Sequence, residues 1–152
     1  MVVCSMLCIK RNRVYGIREE KDLTQYEFAE MFNSPQTCVS KWENSRELIP
    51  IKHANKIANK YSISLDYIYN LSKKKYVKID NKEIKKDIVG KNILKLRQDH
   101  NLTLRDFAKI LNTTSSTISA YETGKTLLLT AFAIQISKKY KISLDKLYGK
   151  TK

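Results

Sequence analysis

The sequence predicts an all-α protein built from two tandem five-helix domains, and three observations carry that expectation. The chain matches itself at an offset of 79 residues, its capping and apolar positions recur at helical spacing, and it contains only 4 Gly and 2 Pro. So few turn residues argue against a turn-rich β protein. A length of 152 residues allows one ordinary domain or two small ones.

The offset decides between these. It pairs Arg18 with Arg97, Leu23-Thr24 with Leu102-Thr103, Phe28-Ala29 with Phe107-Ala108, Asn33 with Asn112, Ser40 with Ser119 and Glu43 with Glu122. It also pairs Ile63-Ser-Leu-Asp66 with Ile142-Ser-Leu-Asp145, and Tyr61 and Tyr69 with Tyr140 and Tyr148. From Arg18 to Tyr69 there are 18 identities in 52 ungapped positions, and mismatches such as Val39/Ile118 and Trp42/Tyr121 keep chemical type. A repeat this dense marks two related domains. We place them at 1–72 and 87–152, with a basic connector over 73–86 whose end begins the next helix.

Within each copy, Thr24-x-x-Glu27 and Thr103-x-x-Asp106 set a hydroxyl three residues before a carboxylate, close to a capping box. Ser34-Pro35 reads as a cap followed by proline at the first helical position. Ser64 and Ser143 cap a last helix, and Asn33 and Asn112 suit a left-handed turn between two helices. The expected helices lie near 9–21, 25–32, 35–43, 51–60 and 65–71, then 82–99, 104–111, 114–122, 130–139 and 144–149. Asp80-x-x-Glu83 is the start signal for the sixth, and Tyr76–Ile79 is the sole candidate strand.

Composition bounds the function. Lys and Arg number 29 against 15 acidic residues, a net charge of +14, which points first to nucleic acid and second to an anionic membrane surface. The apolar runs Met1–Ile9 and Leu127–Ile134 are too short to span a bilayer. The basic cluster follows the first run rather than preceding it, the reverse of a secretory signal. Three cysteines give no disulfide framework, so a reducing cytoplasm is expected. There is no Gly-rich phosphate loop, metal-ligand cluster or nucleophile–base set, so neither enzyme activity nor a cofactor is expected, and no small-molecule ligand is evident.

The segment from Thr24 to Asn44 reads as helix, tight turn and second helix, with Val39 and Trp42 turned to the core. This stretch, Leu23-Thr-Gln-Tyr-Glu-Phe-Ala29 through Val39-Ser-Lys-Trp-Glu-Asn-Ser45, resembles the lambda-repressor/Cro-like (XRE-type) helix-turn-helix family. Leu102 through Gly124 echoes it, and together the copies cover most of the chain. The expected fold is therefore two lambda-repressor-like domains in tandem.

A recognition helix must enter a major groove about 12 Å wide and present polar side chains there. With Val39 and Trp42 inward, helical spacing sends Gln36, Thr37, Ser40, Lys41 and Asn44 to the other face. Gln pairs with adenine, Lys donates to guanine, and Thr meets the thymine methyl. The matching positions of the second copy are Ser115, Ser116, Ser119, Ala120 and Thr123, all short, so the first copy should read more sequence. Charge runs the other way: net +2 over 1–72, +5 over 73–86 and +7 over 87–152. Since phosphate attraction is independent of sequence, the connector and second copy should supply most of it. Lys73, Lys74 and Lys75 are its candidates in the connector.

The resemblance adds roles residue by residue. It implies phosphate contact at the start of the second helix, matched by Thr24 and Gln25. Leu104 departs from that pattern, and Arg105 is the nearest substitute. It implies a backbone contact just after the recognition helix, matched by Arg46 and Lys125, in a tight loop that Gly124 suits and Ser45 does not. It implies a partly buried ion pair between first and third helices, matched by Arg18/Glu43 and Arg97/Glu122. Relatives dimerise around their fourth and fifth helices. The core of the second copy needs Ala133, Ile136 and Leu127, which leaves Leu128, Leu129, Phe132 or Ile134 of the apolar strip Leu127–Ile134 without an internal partner. Leu128, Leu129 and Phe132 are candidates for a homodimer surface; packing against the first copy and extra core are the alternatives.

The remaining singular residues have plain readings. Cys4 and Cys8, four apart, lack further ligands for zinc, and Cys38 is half-packed filler. His53 and His100 are surface residues, and Tyr61, Tyr69, Tyr140 and Tyr148 recur at matched core positions, so that most of the tyrosines serve packing. The expected function is a sequence-specific duplex-DNA-binding transcription regulator, a repressor acting by operator occlusion. The alternative is a protein-binding module of the same fold, such as an antitoxin or anti-repressor-like adaptor.

Overall fold

The computed structural model describes residues 12–80 and 82–152, and within them the fold is all-helical, with ten α-helices. The chain divides between Val77 and Lys78 into two units. The first holds α1 (Val14–Glu19), α2 (Gln25–Met31), α3 (Gln36–Glu43), α4 (Ile51–Tyr61) and α5 (Leu65–Ile68). The second holds α6 (Lys86–Asp99), α7 (Leu104–Ile110), α8 (Ser115–Glu122), α9 (Thr130–Tyr140) and α10 (Leu144–Leu147).

Local chemistry starts and stops these helices. Thr24 forms a full capping box with Glu27, and Thr103, Ser64 and Ser143 each accept the backbone N–H three residues on. Asn33 and Asn112 take left-handed backbone, φ 50° and 53°, between the two helices of each helix-turn-helix. Ser62 and Lys141 do the same after α4 and α9.

Several expected boundaries moved, each for a visible reason. Pro35, not Ser34, is the N-cap of α3, and it offers no side-chain acceptor. The Ser34 hydroxyl is left buried without a partner among the described residues. In the second unit Thr114 does cap α8, accepting from Thr117 N at 3.2 Å. The sixth helix begins at Lys86 rather than 82, because Asp80 is engaged elsewhere: its N–H donates to Lys150 O at 2.8 Å, and its carboxylate accepts from Lys152 N at 3.3 Å. The last helices stop early at Ile68 and Leu147, where Asn70 (φ 57°) and Gly149 (φ 71°) turn left-handed. Tyr76–Ile79 forms no strand, only one antiparallel bridge between Ile63 and Tyr76. Of the expected 9–21 helix, residues 9–11 lie outside the described residues, and the described turn starts at Val14, whose N–H donates to Asn12 Oδ1 at 3.1 Å.

Each unit buries its own core. Val14, Ile17, Phe28, Val39, Ile49, Ala54, Ile57, Leu65 and Tyr69 are at most 2% exposed in the first; Ile93, Phe107, Ile118, Leu128, Ala133, Ile136, Leu144 and Tyr148 fill the second. The tyrosines close matched contacts: Tyr69 donates to Ile49 O at 2.8 Å and Tyr148 to Leu128 O at 3.1 Å. Burial raises the Tyr148 phenol pKa well above its ordinary value. The α6–α8 crossing is tight enough to require glycine, since a Cβ on Gly90 would meet Tyr121 O at 2.5 Å.

The apolar strip of the second copy proves largely internal. Leu128 is 1% exposed and Ile134 0%, because Leu128 takes the place of buried Ile49. Leu127, assigned to the core, is instead half-buried. Phe132 packs edge-on against Tyr121 with ring centroids 6.1 Å apart, so Leu129 alone of the three candidate contacts is strongly exposed. His53 is not the plain surface group expected, whereas His100 is exposed as expected. His53 packs against Trp42 at 5.1 Å, and burial lowers its pKa. His100 packs edge-on against Tyr140 at 4.5 Å, with Nδ1 2.8 Å from Leu96 O.

Candidate nucleic-acid interface

Helix α3 is positioned by its inward face. Val39 and Trp42 are at most 2% exposed, and they anchor a helix whose opposite flank carries Gln36, Thr37 and Lys41, all exposed. Ser40 and Cys38 are half-buried beside them. Lys41 pairs with Glu47 at 2.6 Å, a contact that raises the lysine pKa. A surface pair of this kind is weak enough to be exchanged for another acceptor. Asn44 is exposed at the helix end and folds back, donating to Ser40 O at 2.9 Å.

In the second unit, Ser115, Ser116, Ser119, Ala120 and Thr123 line a shallow concavity of about 420 Å³ together with Leu104 and Lys125. Thr123 repeats the Asn44 gesture, donating to Ser119 O at 2.8 Å. Where one flank projects amides and an ammonium, the other is a trough of hydroxyls and methyls.

Beneath both helices lies the same ion pair. Arg18 Nε donates to Glu43 Oε1 at 2.6 Å, Nη2 to Oε2 at 3.3 Å and Nη1 to Leu23 O at 2.6 Å. Arg97 repeats the set on Glu122 at 2.6 and 3.0 Å and on Leu102 O at 2.8 Å. In each case the carboxylate hydrogen bond raises the arginine pKa. The first unit adds a donor, Gln25 Nε2 to Glu43 Oε2 at 2.8 Å, which Leu104 cannot reproduce. That bond uses one N–H of the Gln25 amide and leaves the second for another acceptor.

The other expected backbone contacts are dispersed. Arg46, Lys73, Lys74, Arg105 and Lys125 are exposed. Thr24 is committed to its capping box, and Lys75 to Glu20. Ser45 adopts φ 56° beside the 72° of Gly124, so both loops after the recognition helices turn alike, although the serine carries the strain of a Cβ there. Cys4 and Cys8 lie outside the described residues.

Two features are not legible in the sequence pattern. Lys150 is fully buried, and loss of water lowers its pKa to about 8. Its equivalent in the repeat is Leu71, which marks the position as semi-apolar. The second is Asn12: it is buried and its amide donates to Trp42 O at 2.5 Å, tying the chain before α1 to the end of the recognition helix.

A family model described as helix-turn-helix matches this chain twice, over residues 14–68 and 93–147. The antitoxin PezA of Streptococcus pneumoniae serotype 4 (strain ATCC BAA-334 / TIGR4) is 34% identical over 65 residues, covering 43% of this chain and 41% of that protein. The chain thus spans less than half the length of this relative. No solved structure matches. No helix among the described residues is long and apolar enough to cross a membrane. With two matches that together span most of its length, each laid on one of the two units, the chain belongs to the XRE-type helix-turn-helix family of DNA-binding regulators.

Proposed function

We propose that the protein is a sequence-specific duplex-DNA-binding transcription regulator, a repressor that acts by occupying its operator, in which α3 reads bases while the second unit and connector add phosphate affinity. The observation that carries this reading is the exposed flank of Gln36, Thr37 and Lys41 on a helix fixed from behind by Val39 and Trp42. Bidentate amide and lysine contacts discriminate between bases by about 1–3 kcal/mol each. Ser115, Ser116 and Ser119 lie in a concavity and reach bases by close approach or water, so they discriminate less. Exposed Lys73, Lys74, Arg105, Lys125 and Arg46 supply attraction to the backbone, as does the remaining N–H of Gln25. Because the two reading flanks differ, a site bound by one chain is asymmetric.

A random duplex library selected with the full chain tests this. One enriched, asymmetric motif is expected, and loss of all duplex binding at low salt would refute the reading. The second reading, a protein-binding antitoxin-like module, is favoured by the 34% identity to an antitoxin, and that negative result would support it.

A further inference from the structure

The first unit carries a cleft of about 510 Å³ beside its recognition helix, lined by Arg13, Tyr15 and Tyr67 and bordered by Gln25, Asn44 and the mutually paired Arg18 and Glu43. None of the first three belongs to the reading flank or to the expected backbone contacts. Arg13 is held as a presented cation. Its Nε donates to Asn70 Oδ1 at 3.0 Å, its guanidinium lies 4.1 Å from the centre of the Tyr67 ring, and its backbone N–H donates to Ile68 O at 3.0 Å. That leaves Nη1 and Nη2 without a partner among the described residues. Tyr15 is 54% exposed, and no hydrogen bond among the described residues reaches its phenol or that of Tyr67.

The second unit shows what the same scaffold does without such a site. The residues equivalent to Arg13, Tyr15 and Tyr67 are Asn92, Leu94 and Lys146. Asn92 Nδ2 turns inward and donates to the carbonyls of Lys146 and Leu147, both at 3.1 Å. At this place in the scaffold, a tethered guanidinium is therefore found in the first unit and not in the second.

We infer that the cleft lined by Arg13, Tyr15 and Tyr67 is a phosphodiester-binding site that anchors the DNA strand running past the end of α3. The inference rests on the DNA-binding function proposed for the chain. A guanidinium fixed through Nε keeps its two outer nitrogens in fork geometry, the arrangement that meets two phosphate oxygens at once. Stacking on Tyr67 holds its plane. The phenols add neutral donors, and the cleft is open, as a continuous strand requires. Such an anchor also gives the unit of low net charge its own backbone grip, next to the residues that read bases.

The test uses full-length chains, the duplex enriched by the wild type and an unrelated duplex, with fluorescence anisotropy over a salt series. Arg13→Gln should weaken both duplexes by roughly tenfold, as loss of a hydrogen bond to a charged group does. Its plot of log affinity against log salt should be shallower by about 0.9, the release of one counterion. Arg13→Lys should restore that slope. Tyr15→Phe, which removes only the phenol of an exposed ring, should weaken both duplexes by roughly two- to threefold, the low end for a lost hydrogen bond. In phosphate-ethylation interference, one position that blocks the wild type should cease to matter for Arg13→Gln. An unchanged slope with an unchanged interference pattern, or weakening confined to the enriched duplex, overturns the inference. If Arg13→Gln does not fold, an unaltered Tyr15→Phe affinity does so. A wild-type chain that binds no duplex refutes the underlying DNA-binding function instead.

Discussion

Helices α3 and α8 occupy the same place in two copies of one scaffold, and they differ where they face outward. Their inner faces agree residue by residue: Val39 with Ile118, Trp42 with Tyr121, Glu43 with Glu122, each carboxylate gripping an arginine through two nitrogens. Their outer faces share Ser40 and Ser119 and otherwise diverge, long polar groups against short ones. The contrast teaches that packing and ion pairing fix the helix-turn-helix geometry, while the outward residues are free to change. Two helices with different outward faces can then stand on one framework.

The largest expected effect tests the shared framework. Removing one partner of a buried ion pair costs about 3–5 kcal/mol. Glu43→Ala should approach that range in thermal unfolding, because Arg18 Nε and Nη2 and Gln25 all lose an acceptor and the arginine keeps only Leu23 O and half-exposed Glu19. Glu122→Ala should cost less, since Arg97 alone loses its acceptor there and that arginine is somewhat more exposed. Equal midpoints for the two variants would remove the role given to Gln25.

The second test concerns charge. Full-length Lys73→Ala/Lys74→Ala/Lys125→Ala should keep the motif of the wild type and lower the salt slope by about 0.9 for each phosphate no longer neutralised. A changed motif would mean that one of these lysines reads bases.

Capping provides a smaller, paired effect. Thr114→Ala should destabilise by about 0.5–2 kcal/mol, the usual worth of an N-cap hydroxyl. Ser34→Ala should be neutral or stabilising, because its hydroxyl is buried with no partner among the described residues and contributes only desolvation. Chemical denaturation of the two variants checks both.

Much of this is legible in the sequence, because the repeat places core positions, caps and the ion pairs together. Tyr69 and Tyr148, or Asn33 and Asn112, can be read from their recurrence alone. What escapes depends on neighbours distant in sequence. Leu128 looks like a surface residue because its run is apolar throughout, although pairing it with Ile49 places it inside. Asp80 resembles a helix cap, but Lys150 and Lys152 claim it. Ser34 looks like a cap because serine precedes proline, and the helix starts one residue later.

Lys150 is the least expected of these, and its predicted effect depends on pH. Its pKa is lowered from 10.5 to about 8 in the folded chain, so the unfolded chain binds the extra proton between those values. The burdened state is the charged one: the penalty is full below about pH 8 and vanishes as pH rises through 10.5. Lys150→Met should therefore melt above the wild type at about pH 7, with the gap closing as pH climbs toward the unfolded-state value. A gap that widens with pH would contradict the assignment. Leu71 at the equivalent place, beside buried Asp66, shows that the scaffold accepts an apolar side chain there.

The proposal that α3 carries most of the base reading and α8 less is tested most directly by repeating the duplex selection with two variants of the full chain. Gln36→Ala/Lys41→Ala should still bind DNA in a salt-sensitive way but enrich no motif, whereas Ser116→Ala/Ser119→Ala should return the wild-type motif. Recovery of an unaltered motif by Gln36→Ala/Lys41→Ala would contradict the account.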